Sequence, residues 1–178
     1  QTLKNYFMKK LSSVLFAATV ALAILSCSTK NENAVNSDPH VMGYNIDSSA
    51  NIDAIKASAV DMTNYDSVSY KAKYVENAKF NDNLEKMTIK ENAALITKMK
   101  NLGVTVKMEK MDAIWEEITN KPYFNSQNFV HSFYTAKWTR NGKTVTTVVS
   151  QIDAFNKEGK IMEEWLVSDN SALKELFK

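Results

Sequence analysis

The chain has 178 residues, with 22 Lys and Arg against 20 Asp and Glu, two His and one Cys. That length suits one domain with a core of its own, and a single cysteine excludes an intrachain disulfide. Two histidines and one cysteine leave no metal constellation, and the near-balance of charge argues against nucleic acid as a partner.

The first element is an N-terminal export segment. Met8-Lys9-Lys10 supplies a short positive region, and Leu11 to Leu25 follows without a charge. This run falls short of the about 20 apolar residues that cross a bilayer core and fits the centre of a secretory signal. Residues 1–7 read as sequence upstream of a start at Met8. Ile24-Leu25-Ser26-Cys27 resembles the lipobox of bacterial lipoproteins: an aliphatic pair, a small residue and cysteine. The resemblance implies that residues 1–26 are removed and that Cys27 is acylated. The lipid bilayer is then a partner through the Cys27 acyl chains, and the expected location is the bacterial cell envelope, outside the cytoplasm, at the outer membrane. Loss of residues 1–26 takes away Lys4, Lys9 and Lys10 and no acid, which leaves 19 basic against 20 acidic residues and a net charge near −1.

Residues 27–50 read as a tether. They are rich in Ser, Asn and Asp, contain Pro39 and Gly43, and show no apolar period, so they bury too little surface to offset chain entropy. Residues 51–178 form the domain. Ile52, Ile55, Ala59 and Met62 recur at helical spacing and predict a helix over 51–63. Asp66 caps a second, short helix with Val68, Ala72 and Val75 inward. Ala78-Lys79-Phe80 reads as a short strand. Thr88 and Glu91 make a capping-box pattern for a helix over 90–101 that stops at Gly103.

After Gly103 the period changes to two. Val104, Val106 and Met108 alternate with polar residues, and the runs 129–139 and 144–155 flank Arg140-Asn141-Gly142-Lys143. Asn-Gly between alternating runs is the strongest short hairpin signal. A last strand over 161–167 follows the turn at 156–159. Helices first and an antiparallel meander afterwards indicate an α+β fold with the helices on one face of the sheet.

The run Asp66, Tyr74, Ala78, Phe80, Asp82 resembles the opening of nuclear transport factor 2-like domains, the superfamily that includes SnoaL-like polyketide cyclases and ketosteroid isomerases. The closing run Ile152-Asp153-Ala154-Phe155, Glu158-Gly159-Lys160-Ile161 and Glu163-Glu164-Trp165 is similar to that family's ending. The resemblance covers residues 51–170. It implies a cone: a curved antiparallel sheet wrapped around three N-terminal helices, a cystatin-like α+β barrel, with a pocket between them.

A two-residue turn at Asn141-Gly142 pairs Arg140 with Lys143 and Trp138 with Val145. One face of the hairpin then carries Val130, Ser132, Tyr134, Ala136, Trp138, Val145, Thr147, Val149, Gln151 and Asp153. The other carries His131, Phe133, Thr135, Lys137, Thr146, Val148, Ser150 and Ile152. On the last strand, period two separates Met162, Glu164 and Leu166 from Ile161, Glu163, Trp165 and Val167. The resemblance turns Asp153 toward the cavity. That makes Ser132, Tyr134, Gln151, Asp153, Met162 and Glu164 the expected ligand-binding residues, together with Ser58 on the first helix. A mainly apolar concavity with few polar groups is the usual form of a small-molecule site.

Three functions compete: a binder of a small apolar or amphipathic ligand, an enzyme, and an envelope interaction module. The isomerase branch would use Asp82 and Asp153 as catalytic residues, one ionised to take a carbon-bound proton and one protonated to donate to an oxyanion, an arrangement the ketosteroid isomerases exemplify. The family's oxyanion tyrosine falls at Ser58 and its supporting tyrosine near Thr97, while the histidine and aspartate of SnoaL-like enzymes fall at Glu164 and Leu166. Four glycines form no phosphate-cradling loop, so no cofactor is expected. The apolar outer face of the sheet predicts a homodimer. The lipobox generates the most direct test of the sequence: Cys27→Ser is expected to remain unprocessed and unlabelled by a palmitate analogue in cells, and processing and labelling equal to wild type would refute the reading.

Overall fold

The computed structural model describes residues 42–178. The export segment, Cys27 and most of the expected tether, with His40, lie outside the described residues. The first helix, α1 (Ala50–Thr63), starts where the Ser49 side chain accepts the Ile52 N–H at 3.0 Å. Its buried side, Ile52, Ile55 and Ser58, repeats at three-residue spacing. Helix α2 (Ser67–Ala72) is capped by Asp66. Its inward residue is Tyr70, whereas Val68, expected inward, is 79% exposed; a helix under two turns long has one inward position, and the aromatic side chain takes it. Helix α3 (Ile89–Leu102) carries the capping box of Thr88 and Glu91 and ends at Gly103 in the left-handed region, φ 67°.

Seven strands make one sheet: β1 (Gly43–Ile46), β2 (Tyr74–Asp82), β3 (Glu85–Thr88), β4 (Thr105–Tyr123), β5 (Ser126–Arg140), β6 (Lys143–Phe155) and β7 (Ile161–Ser168). Their spatial order is β1-β4-β5-β6-β7-β2-β3. The sheet is curved and mixed and does not close. It is therefore a cone with two free edges, not a barrel, and it is not wholly antiparallel: β2 runs parallel to β7, with Phe80 opposite Glu164 and Asp82 opposite Leu166. The β2–β3 hairpin sits between α2 and α3 in sequence and extends the sheet by adding to β7, a crossover that local sequence pattern does not encode.

The β5–β6 hairpin has the register the Asn-Gly turn dictates: Arg140 faces Lys143, Trp138 faces Val145 and Val130 faces Asp153. Asn141 and Gly142 take φ 51° and 75°, as a type I′ turn requires. Strand β4 runs far past Met108, where period two fails in the sequence. Two bulges, at Met108–Lys110 and Met111–Ala113, shift its parity through a charged stretch and let it bend. Its turn to β5 is another two-residue connection, with Phe124 and Asn125 at φ 48° and 63°; no glycine marks it.

Two corrections bear on the site. Gly43–Ile46, expected within the tether, is an edge strand paired with β4. A Cβ at Gly43 would collide with the Ile118 carbonyl, so glycine here permits close backbone approach. A bulge in β7 sets Phe155 opposite Ile161 and Ala154 opposite Glu163. Met162 is the extra residue. Ile161, expected on the outer face, is consequently buried in the core with Phe155, Phe80, Ile52 and Val130, and Glu164 lies directly opposite Asp153. At the cone's other end Glu116, almost wholly buried, accepts hydrogen bonds from Asn51 and Asn128, both at 2.7 Å, and ties the start of α1 to β4 and β5.

Candidate functional site

Between the helices and the concave face of the sheet lies a cavity of about 420 Å³. Helix α1 contributes Ile55, Ser58, Ala59 and Met62, and α3 contributes Ile96 and Met99; the sheet supplies Phe80, Met87, Met108, Met111, Tyr134 and Trp138. Five of the lining side chains are methionines. Unbranched thioethers adapt to irregular ligand shapes and make favourable contacts with rings. Charged lining residues at the mouth, Glu85, Lys98 and Lys174, are exposed.

The opposite character is concentrated on one buried wall. Tyr134 donates to Gln151 Oε1 at 2.9 Å, and the Gln151 amide donates to Asp153 Oδ2 at 3.0 Å and Oδ1 at 3.2 Å. Asp153 is hydrogen-bonded to Glu164, which accepts from the Tyr74 hydroxyl at 2.9 Å; the Tyr74 and Tyr70 hydroxyls lie 3.0 Å apart. Two carboxyl groups facing each other out of water cannot both hold a charge without large cost. Burial raises the Asp153 carboxyl well above its ordinary range, and the neighbouring Glu164 charge raises it further. Glu164 is pushed up to about 7, mainly by burial, against the hydrogen bonds from Tyr74 and Asp153 that favour its charge. Once Glu164 ionises, above about pH 7, one proton remains between the pair, held on Asp153. Burial, then the Glu164 charge, raises the Tyr74, Tyr70 and Tyr134 phenols, so all three stay neutral donors.

Of the residues expected from the sequence, Ser58, Asp82, Tyr134, Gln151 and Glu164 line the cavity. Asp153 lies behind the wall, with no exposed surface, and reaches the cavity only through Gln151 and Glu164. Ser132 is also fully buried and outside the lining, its hydroxyl without a partner. Met162 is outside the lining because the β7 bulge takes it out of the alternation. Asp82 stands apart from the carboxyl pair, two residues along β2 from the residue opposite Glu164, roughly 7 Å of strand. Half burial and then Glu85 raise its carboxyl, and Lys174 opposes the shift. Sequence pattern does not mark Tyr70 and Tyr74 as site residues: Tyr70 lies in α2 and Tyr74 opens β2, and the break between the two elements removes any common period that would place both rings on one side. Among the described residues no three His, Cys, Asp or Glu side chains converge as a metal site.

No protein-family model and no curated protein sequence matches the chain. Solved structures do resemble it. An LEH-like epoxide hydrolase of M. tuberculosis superimposes with a TM-score of 0.55 at 15% identity, covering 71% of this chain and 88% of that one. A Xanthomonas campestris protein assigned as a polyketide cyclase gives 0.54 at 9% identity, covering 72% and 96%. An NTF2-like protein of Burkholderia xenovorans gives 0.54 at 15% identity, covering 72% and 95%. These likenesses establish the fold as the NTF2-like α+β cone.

The carboxyl pair makes stability depend on pH with a definite sign. Both groups hold protons in the fold that they release when unfolded, so stability falls as pH rises. For Glu164 the fall spans its ordinary 4.5 to about 7. The capping acids Asp66 and Glu91, lowered by hydrogen bonds from the Ser69 and Thr88 backbone, act with the opposite sign and below that window. Thermal melts of Glu164→Gln are expected to show a flatter Tm profile than wild type between about pH 5 and about pH 8, with the variant more stable at the upper end; parallel profiles would contradict the assignment.

Proposed function

We propose that the domain binds a small, largely apolar molecule with one polar group, held outside the cytoplasm by a lipid anchor at Cys27. The observation that carries this reading is the cavity: about 420 Å³, mainly apolar with five methionines in its lining, and with a buried polar wall at Tyr134, Gln151 and Glu164. Such a division suits an amphipathic ligand, apolar contact supplying affinity and the wall orientation. The anchor is supported by the Ile24-Leu25-Ser26-Cys27 pattern, and acylation would keep the binder at a membrane surface where apolar molecules partition.

Acid–base catalysis is the second reading, favoured by the half-buried Asp82 carboxyl on the cavity surface. Pairing Asp82 with Asp153 as base and donor is not open to it, because Asp153 is behind the wall; Glu164 is the acid that a substrate would touch. Binding of Nile red to the full chain, read by fluorescence, tests the cavity. Ala59→Trp, which places a large ring in the lining, is expected to weaken binding at least about tenfold while the fold is retained. Unchanged binding would move the ligand elsewhere. Mass spectrometry of a co-purifying compound before and after incubation separates the two readings: recovery unchanged supports a binder, conversion an enzyme.

The same proposal includes pairing of two copies through the outer face of the sheet. Phe133, Val148 and Val167 are 40%, 67% and 63% exposed there, beside the stacked rings of Trp115, His131 and Phe133. An apolar patch on that scale is costly on a monomer. Phe133→Glu is expected to convert a dimer to a monomer in sedimentation velocity, and a wild-type chain that sediments as a monomer would refute the pairing.

A further inference from the structure

The polar wall has a hydrogen-bonding sign, and that sign restricts the ligand. Tyr74 has one hydroxyl hydrogen and two neighbours, the Glu164 carboxylate at 2.9 Å and the Tyr70 hydroxyl at 3.0 Å. A bond to a charged acceptor is about twice as strong as one to a neutral acceptor. Tyr74 therefore donates to Glu164, and Tyr70 is the donor in the second contact. Tyr134 gives its hydrogen to Gln151 Oε1, and the Gln151 amide is turned onto both oxygens of Asp153. The proton between Asp153 and Glu164 lies along their mutual bond. Every hydroxyl hydrogen of the wall is thus engaged within the wall, and one Gln151 amide hydrogen is shared between the two oxygens of Asp153; the second Gln151 amide hydrogen has no partner there.

Lone pairs remain. A carboxylate accepts about four hydrogen bonds, and Glu164 receives those of Tyr74 and Asp153. The Tyr134 oxygen donates and receives nothing from the protein. Both residues line the cavity and both are buried, so water is a poor substitute partner. A ligand carbonyl or carboxylate set against Glu164 and Tyr134 would meet oxygen atoms only; the one unengaged donor of the wall is the second Gln151 amide hydrogen. Ser58 donates or accepts equally and does not set the sign. Lys98 and Lys174 are donors, but they stand exposed at the mouth.

We infer that the Glu164 and Tyr134 oxygens make the wall prefer a ligand with a hydrogen-bond donor, a hydroxyl or an ammonium group on an apolar body, over the carbonyl and carboxylate compounds of the same shape. This rests on the ligand-binding reading and narrows it. It also separates the site from one that activates a carbonyl, which needs donors aimed at the oxygen.

The test is a matched panel on the full wild-type chain: octan-1-ol, octylamine, octan-2-one and octanoate, each displacing Nile red at about pH 8.5, where Glu164 is ionised. The alcohol and the amine are expected to compete about tenfold or more better than the ketone and the carboxylate, the scale of leaving a buried polar group unpaired. An amine that outcompetes the alcohol, or the reverse, identifies which donor the wall prefers, and either order supports the inference provided both exceed the ketone. A ketone or carboxylate that binds as well as the alcohol overturns it while leaving the ligand-binding reading intact. Failure of Nile red and all four compounds to bind overturns both. In Glu164→Gln the new amide supplies a donor, and the alcohol-to-ketone preference is expected to fall about tenfold; an unchanged preference would remove Glu164 as its source.

Discussion

Two carboxyl groups with one proton between them organise the inside of this cone. Asp153 and Glu164 face each other across β6 and β7 in the least hydrated part of the domain. Among the described residues no buried cation matches either carboxyl; Arg140, the single arginine, donates to the Leu176 carbonyl instead. The pair is tolerable only because one group stays protonated and the other collects hydrogen bonds. Those bonds come from different elements. Tyr70 brings in α2, Tyr74 brings in β2, and Gln151 with Tyr134 brings in β6 and β5. The network therefore fixes the positions of four elements around the cavity, and the parallel β2–β7 pairing that shapes the sheet has Phe80 directly opposite Glu164.

Around that wall the cavity is soft and apolar. Methionines from α1, β3, α3 and β4 line it, and they come from elements with separate reasons to be there: capped helices and a bulged strand. A rigid polar wall beside adaptable apolar walls would orient one end of a ligand and leave the other loosely specified. The fold is shared with proteins of different activities, so the chemistry rests on Glu164, Tyr134 and Asp82 and not on the cone itself.

Much of the fold is legible locally. Ser49, Asp66, the Thr88–Glu91 box and Gly103 mark helix ends through bonds a few residues long. Asn141-Gly142 sets the register of the β5–β6 hairpin, and the register alone puts Tyr134, Gln151 and Asp153 on one face. What was not legible depends on events without a local signature. The bulge at Met162 reverses the parity of Ile161 and removes Met162 from the site, and nothing in Ile161-Met162-Glu163-Glu164 marks the extra residue. The turn at Phe124-Asn125 lacks glycine, so no local signal joins β4 to β5. Gly43–Ile46 has the composition of a tether, and its order comes from pairing with β4. Register sets Asp153 on the same face as Gln151 and Tyr134, but parity does not report depth: Glu164 and Gln151 stand between it and the cavity.

The shared proton is the claim on which the site, its pH response and its ligand preference all depend. Carbon-detected NMR titration of the Asp153 and Glu164 carboxyl carbons in the full chain measures it directly. The account predicts that Asp153 stays protonated through neutral pH and that Glu164 ionises near 7, its titration shifting the Asp153 signal as well. Two carboxyls that both titrate near about 4, as solvated acids do, would contradict it.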